Sequence, residues 1–198
     1  MYDHDVWALH NSEDLWVYDK LLLSRALQYS CGPVGMDVPR PGYYIVRPVL
    51  NILGLGLGTS VEYIEDSTDH LPPGYFWCER FFGDHYSIDY YKGTPTLSVR
   101  GVLQNNSFQR WERWTLDDVY YPLPAFLLDI AQRHDWMCCE WIGGNLIEAH
   151  LRRNPDFAEG YTEYIPVWQG EDCTPPTGYR YIQDPEPLIL RIGAFVKI

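Results

Sequence analysis

Between Glu140 and Asp156 the chain reads EWIGGNLIEAHLRRNPD, with Glu140 ahead of a Gly-rich turn, Glu148 and His150 beyond it, and then Arg152 and Arg153. If Gly143, Gly144 and Asn145 form a three-residue hairpin loop, glycine or asparagine supplies the positive φ the loop requires. Ile142 then pairs with Leu146, Glu140 with Glu148, and Cys138 with His150. Side chains alternate along a strand, so Glu140, Glu148 and His150 would share one face. Opposed carboxylates repel unless a cation sits between them, and hard oxygen ligands suit Mg²⁺ or Mn²⁺. Removing either charge should therefore stabilise the metal-free protein slightly. A two-residue Gly-Gly loop would instead shift the register by one and send Glu140 and Glu148 to opposite faces. Both loops remain open at the level of sequence.

Other groups offer weaker chemistry. NILGLGLGTS, residues 51–60, lacks the Gly-Lys-Ser/Thr of a phosphate-binding P-loop and leads from strand to strand, unlike a dinucleotide-binding turn. Its glycines could form a flap whose amides close over phosphates, or a plain hairpin tip. Arg47 lies within the apolar run YYIVRP, where burial would demand a partner. Arg110 and Arg113 in FQRWERW are spaced so that a regular strand points them to opposite faces, leaving at most one for a cleft. Asp3, His4, Asp5 and His10 read as a solvated chain start.

Around these groups the composition sets limits. The chain has 198 residues, 46% of them hydrophobic and 16% aromatic, enough to fill a core. A net charge of -12 argues against contact with nucleic-acid backbones, and the lysines are Lys20, Lys92 and Lys197 alone. A mononucleotide needs only a few converging donors and a divalent ion, so it stays open. Five cysteines without regular spacing suggest reduced thiols and a cytoplasmic protein, and adjacent Cys138 and Cys139 should face opposite sides of a strand. No basic-then-apolar leader opens the sequence, and no apolar run has the length of a membrane span.

The elements that must position the candidates follow from periodicity. SEDLWVYDKLLLSRALQY predicts one amphipathic helix capped by Ser12, and LPAFLLDIAQRH a second. YYIVRP, TSVEYI, YFWCERFF, HYSIDYY, TLSVRGVLQ, FQRWERW, MCCEWI, NLIEAHL and PLILRIGAFVKI predict strands, and GEDCTPPTGYRYIQDPEP a surface loop. Many short strands with few helices, not strictly alternating, indicate an α+β fold.

In this order a helix containing Asp19-Lys20, the strand YYIVRP, the glycine loop, CERFFGDHYSIDYY and EWIGGNLIEAHLRRN resemble the ATP-grasp superfamily over about residues 15–156. The resemblance implies two α+β lobes with ATP in the cleft between them. It divides the chain into residues 1–42 (helix and loop), 43–82 (a small lobe with the flap) and 83–198 (a larger lobe with the metal-binding hairpin). It implies ATP with Mg²⁺ or Mn²⁺ as cofactors, and Lys20 and Arg47 on the α- and β-phosphates, Arg47 replacing the usual lysine. Gly54, Gly56 and Gly58 would form the flap. Glu79 to Phe82 would border adenine, walled by Trp77, Phe82 and Ile147, with His85 near the ribose. Glu140, Glu148 and His150, the last in place of an asparagine, would hold the metal, and Arg152 would steady a transferred phosphoryl group, with Arg110 or Arg113 as a further cation.

The activity implied is a ligase joining a carboxylate to an amine through an acyl phosphate, on small or protein-borne substrates. A noncatalytic ATP-binding protein is the alternative, and a small-molecule kinase a third. The residues ahead of the first helix are few, so the resemblance implies a reduced form, with a homodimer or partner protein supplying the surface of a leading domain.

Overall fold

The segment predicted as one helix from Ser12 divides into two. In the computed structural model, which describes residues 3–9, 13–51, 56–104, 107–108, 110–157, 159–184 and 190–198, a 3₁₀ turn covers Leu15–Tyr18 and α2 runs over Lys20–Ala26, after a first helix α1 at Asp3–Leu9. Asp19 between the turn and α2 is extended (φ −76°, ψ 102°), and its carboxylate accepts the Leu22 N–H at 2.8 Å, a side-chain N-cap. The break has a positional consequence. Lys20 becomes the first helical residue, its N–H donates to the Val49 carbonyl at 2.9 Å, and its side chain is buried. Ser12 itself lies outside the described residues.

Two antiparallel sheets face each other. The smaller has order β1-β4-β2-β3, from Cys31–Pro33 (β1), Gly42–Pro48 (β2), Ser60–Ile64 (β3) and Tyr75–Glu79 (β4). The larger has order β11-β12-β10-β7-β6-β5-β8-β9. Its strands are His85–Tyr91 (β5), Thr94–Leu103 (β6), Trp111–Leu116 (β7), Trp136–Ile142 (β8), Asn145–His150 (β9), Glu163–Trp168 (β10), Arg180–Gln183 (β11) and Arg191–Lys197 (β12). The predicted α+β class is what the chain forms. β1, β10 and β11 had no counterpart among the predicted strands, and β11 lies inside the stretch read as a surface loop.

Alternation gives the large sheet two distinct faces. Tyr86, Ile88 and Tyr90 of β5 and Met137, Cys139 and Trp141 of β8 point to one side, where they pack with Leu23 of α2 and Leu127 and Ile130 of α3 (Ala125–Arg133). His85 and Ser87 of β5 and Cys138 and Glu140 of β8 point the other way, into the space between the sheets. Across β6, β7, β10 and β12 that second face closes into a core of its own, built on Val99, Trp111, Trp114, Phe157, Tyr164 and Val196. The small sheet keeps a third cluster, with Tyr44, Val46 and Trp77, on its outer side. All five cysteines are free thiols, and no described helix is long and apolar enough to cross a membrane.

Candidate functional site

The hairpin settles the register by combining features of both expected loops. Its turn is the two-residue Gly143-Gly144, both with positive φ (55° and 83°), and Ile142 pairs with Asn145. That loop alone would separate the carboxylates. A β-bulge at Ile147 adds one residue to β9, so Trp141 pairs with Leu146 but Glu140 pairs with Glu148 and Cys138 with His150. The bulge also leaves the Ile147 carbonyl to accept Arg47 Nη2 at 3.0 Å. Gly143 has a second reason to be glycine. A Cβ there would overlap the Phe82 carbonyl, so the turn fits under the segment linking the two sheets only without a side chain.

Glu140, Glu148 and His150 offer ligand atoms within 4.8 Å of one another. Glu148 is the most heavily engaged. Its Oε1 receives Lys20 Nζ at 2.5 Å and Arg47 Nη1 at 3.2 Å, and its Oε2 lies 3.4 Å from His150 Nε2. Burial would favour the neutral acid, but Lys20, the His150 hydrogen bond and Arg47 outweigh it and hold the carboxyl well below its usual range. Glu140 differs: it faces His85 Nε2 at 3.1 Å and keeps about a third of its side chain in solvent. The expected mutual repulsion is thus relieved on one side by cations of the protein itself.

Asp3, read as part of a solvated start, is buried in this network. Its carboxylate accepts Arg152 Nε at 2.6 Å and Nη2 at 2.9 Å, and lies 3.2 Å from His150 Nδ1. Burial opposes its charge, yet His150 and Arg152 hold the Asp3 carboxyl well below the ordinary value. Burial likewise opposes a charged imidazole at His150, and Asp3 with Glu148 overcomes it, pushing the pKa up to about 9. No sequence period marks Asp3.

These groups line a cleft of about 450 Å³ between the sheets. Near the Gly143 turn it is bordered by Tyr29, Phe81, Phe82, Ile142, Leu146 and Ile147, with Tyr29 and Phe81 edge to face at 4.6 Å. Phe82 is largely exposed, and the Arg80 guanidinium lies 4.8 Å over its ring. The Glu79 carboxylate accepts the Ser30 N–H at 2.8 Å, and the Glu79 N–H donates to the Ser30 carbonyl. Gly56 and Thr59 reach the cleft from the glycine loop; Gly58 lies against Tyr75 and Pro48 instead, and Gly54 is outside the described residues.

Three expected placements are corrected. Trp77 faces away from the cleft, its Nε1 donating to the Met36 carbonyl at 2.8 Å and its ring packed on Tyr44, because Cys78 takes the cleft-facing position of β4. Arg110 and Arg113 do not line the cleft. Arg110 stacks 5.3 Å over Trp168, and Arg113 is half exposed between Glu112 and Glu163. Trp114 holds the cleft-facing position of β7, and a bulge at Val102/Leu103 turns Trp111 to the same side. Arg191 and Asp156 line the cleft without having been singled out as ligands. Arg191 is gripped by Asp156 at 2.9 Å and Asp184 at 2.7 Å.

At neutral pH the pole around Glu148 collects Lys20, Arg47, Arg152 and a charged His150 against Asp3, Glu140 and Glu148. An acidic protein thus gathers three fixed cations, Lys20, Arg47 and Arg152, at one end of one cleft, a condition for holding an anion. Arg47 Nε is buried with no hydrogen-bond partner among the described residues, a donor left over inside this pole.

No family model matches the sequence, and no curated protein matches it. Among solved structures, the chain is similar to an Archaeoglobus fulgidus protein assigned to the ATP-grasp superfamily, at 11% identity and a TM-score of 0.49, over 92% of this chain and 64% of that one. It is also similar to the ATP-grasp ligase PsnB. The complex with a minimal precursor gives 15% identity, a TM-score of 0.42 and 74% of this chain against 55% of PsnB. The complex with a phosphomimetic variant of that precursor, Mg and ADP gives 13%, 0.41, 71% and 52%. The chain therefore spans less than two thirds of each.

Proposed function

We propose that the cleft binds ATP with Mg²⁺ or Mn²⁺ and that the protein is an ATP-grasp ligase joining a carboxylate to an amine. The observation that carries this reading is the convergence of Lys20, Arg47 and His150 on Glu148, which stands opposite Glu140 in register, with Arg152 tied to the same network through Asp3, within a chain of net charge -12. Few other ligands call for fixed cations and paired hard carboxylates in one cleft beside an apolar border. Polyphosphate with a divalent ion does.

The donor set fits the metal. Glu140 and Glu148 would hold it, and His150 suits Mn²⁺ better than Mg²⁺ once it gives up its proton. When bound, the ion would supply charge neutralisation of the phosphates. The chain's own residues would do the rest. Tyr29, Phe81 and Ile147 would enclose the base, and Lys20 and Arg47 would exchange Glu148 for phosphate oxygens. Arg152, aligned by Asp3, would meet the charge that develops on the transferred phosphoryl group. A substrate carboxylate oxygen would bond to the γ-phosphorus as ADP leaves. An amine nitrogen would then attack the acyl carbon as phosphate leaves and carries off the surplus proton.

A noncatalytic ATP-binding role is the second reading, favoured by one specific observation. Arg152 already spends Nε and Nη2 on Asp3 and Nη1 on the Arg153 carbonyl. ADP and phosphate release from ATP, assayed with pooled carboxylates and amines, separates the two. Turnover that depends on both pools supports the ligase, and ATP bound but never consumed supports the binding protein.

A further inference from the structure

A glycine opens the middle of the large sheet on its cleft face. Strand register places Ile142, His85, Gly101, Trp114 and Tyr164 in one row across β8, β5, β6, β7 and β10. Every member but one has a large side chain. A Cβ at Gly101 would lie 2.6 Å from the Trp111 ring and 2.8 Å from Trp114, so both indoles occupy the space a side chain would fill. Their rings lie 4.3 Å apart, inclined at 42°, and the His85 ring stands edge-on to both, at 4.7 and 5.6 Å.

This aromatic floor belongs to the same cleft as the cationic pole but is not used by it. Of its rings, His85 alone also touches the charged groups, through Glu140. Leu103 and Phe108 flank the floor, and Gly56 of the glycine loop sits so close to the Phe108 carbonyl that a Cβ would overlap it. Gly56 therefore closes on Phe108 at this end of the cleft. The local charge is reversed here. Asp156, on the cleft wall next to buried Phe157, and Asp184 share the single cation Arg191, whose guanidinium lies 5.6 Å over Tyr164, the neighbour of Trp114 in the row. Arg191 occupies one acceptor position on each Asp156 oxygen and the Tyr164 hydroxyl meets the same carboxylate, which leaves a remaining lone pair for a further donor.

We infer that this end of the cleft binds a primary amine carrying an aromatic ring, with the ring against Trp111, Trp114 and Phe108 and the ammonium toward Asp156. The inference rests on the ligase reading and names the class of its amine substrate. An apolar floor of inclined indoles rewards a ring by area, indole faces attract a cation, and the surplus carboxylate selects an ammonium over an acid. A carboxylate with the same ring would meet like charge.

The test uses the full chain and three probes, 2-phenylethylamine, ethylamine and phenylacetate, read by intrinsic tryptophan fluorescence and by melting temperature, with and without ATP and Mn²⁺. Phenylethylamine should quench saturably and bind about tenfold or more tightly than either other probe, the worth of one buried ring. Phe108→Ser, a half-buried loop position whose loss spares the core, should weaken phenylethylamine by about tenfold and leave the ATP-dependent rise in melting temperature in place. Equal binding of phenylethylamine and ethylamine, or preference for phenylacetate, overturns the inference; an ATP response that persists in that case leaves the nucleotide reading standing. Selective phenylethylamine binding with no ATP response confirms the aromatic site and removes the nucleotide reading instead.

Discussion

The cleft face of the large sheet is one surface with two unlike walls. On β8 and β9 it carries Glu140, Glu148 and His150, and on β7 and β10 it carries Trp114 and Tyr164. The same alternation produces both, and what differs is the matter opposite them. The first wall meets Lys20 at the start of α2 and Arg47 on β2, which pair its charges across the gap. The second is roofed by Phe157 and backed by β12, which pack its rings as core on one side while Trp111 and Trp114 still border the cleft. Buried charges must be paired and buried rings need only be packed, so the charged wall is held by its partners and the aromatic wall by its area. Nucleotide response and fold stability should therefore separate along the sheet.

The largest effect should come from the aromatic wall. Phe157→Ala removes a side chain that is 2% exposed and should cost about 3–5 kcal/mol in denaturant unfolding. The ATP-dependent gain in melting temperature should survive in the fraction that folds; losing it at constant fold would merge the two walls. Glu148→Gln comes next. It strands Lys20 and Arg47, and leaving such donors poorly paired should destabilise the ligand-free protein by about 1–3 kcal/mol. That reverses the expectation from sequence, where removing either carboxylate relieved repulsion. Glu140→Gln, which faces only His85 among the described ion pairs, should change ligand-free stability by about 0.5 kcal/mol or less while abolishing the response to Mn²⁺ plus ATP.

The smallest effect concerns a charge cluster outside the cleft. Asp14 accepts from Arg133 and pairs with His134 at 2.8 Å, tying the 3₁₀ turn to the end of α3. The Arg133 hydrogen bond, against burial and helped by His134, holds the Asp14 carboxyl below its ordinary 3.8. A depressed carboxyl stabilises the fold above its unfolded pKa and loses that contribution as pH falls through the native value. Asp14→Asn should therefore lower the melting temperature near pH 6, with the difference from the parent shrinking as pH falls from 3.8 and vanishing only below the depressed native value. Its ATP response should equal the parent's, since these charges meet no ligand.

Local periodicity made much of this molecule legible. The strands carrying Arg47, His85, Glu140 and Glu148 follow from alternating apolar residues, and the pairing of Glu140 with Glu148 was among the registers the hairpin allowed. The route to it was not legible, because a bulge at Ile147 depends on Arg47, a hundred residues earlier in sequence, taking up its carbonyl. Asp19 looked like a helix interior because its capping role appears only once Lys20 is anchored to Val49. Asp3 gave no signal, since what buries it is Arg152 at the other end of the contact. Trp111 and Trp114 read as strand aromatics, and only the register of Gly101 between His85 and Trp114 brings them to the cleft floor. The losses share one cause: each depends on a contact distant in sequence.

Isothermal titration of the full chain with ATP, in the presence of Mn²⁺ and then of Mg²⁺, tests the central claim that the charged wall is a nucleotide-metal site. The account predicts saturable binding with at least one of the two metals, weaker binding of GTP, and loss of the metal dependence in Glu140→Gln while Phe108→Ser keeps it. Absence of binding at millimolar ATP with either metal, in protein that melts cooperatively, would contradict it.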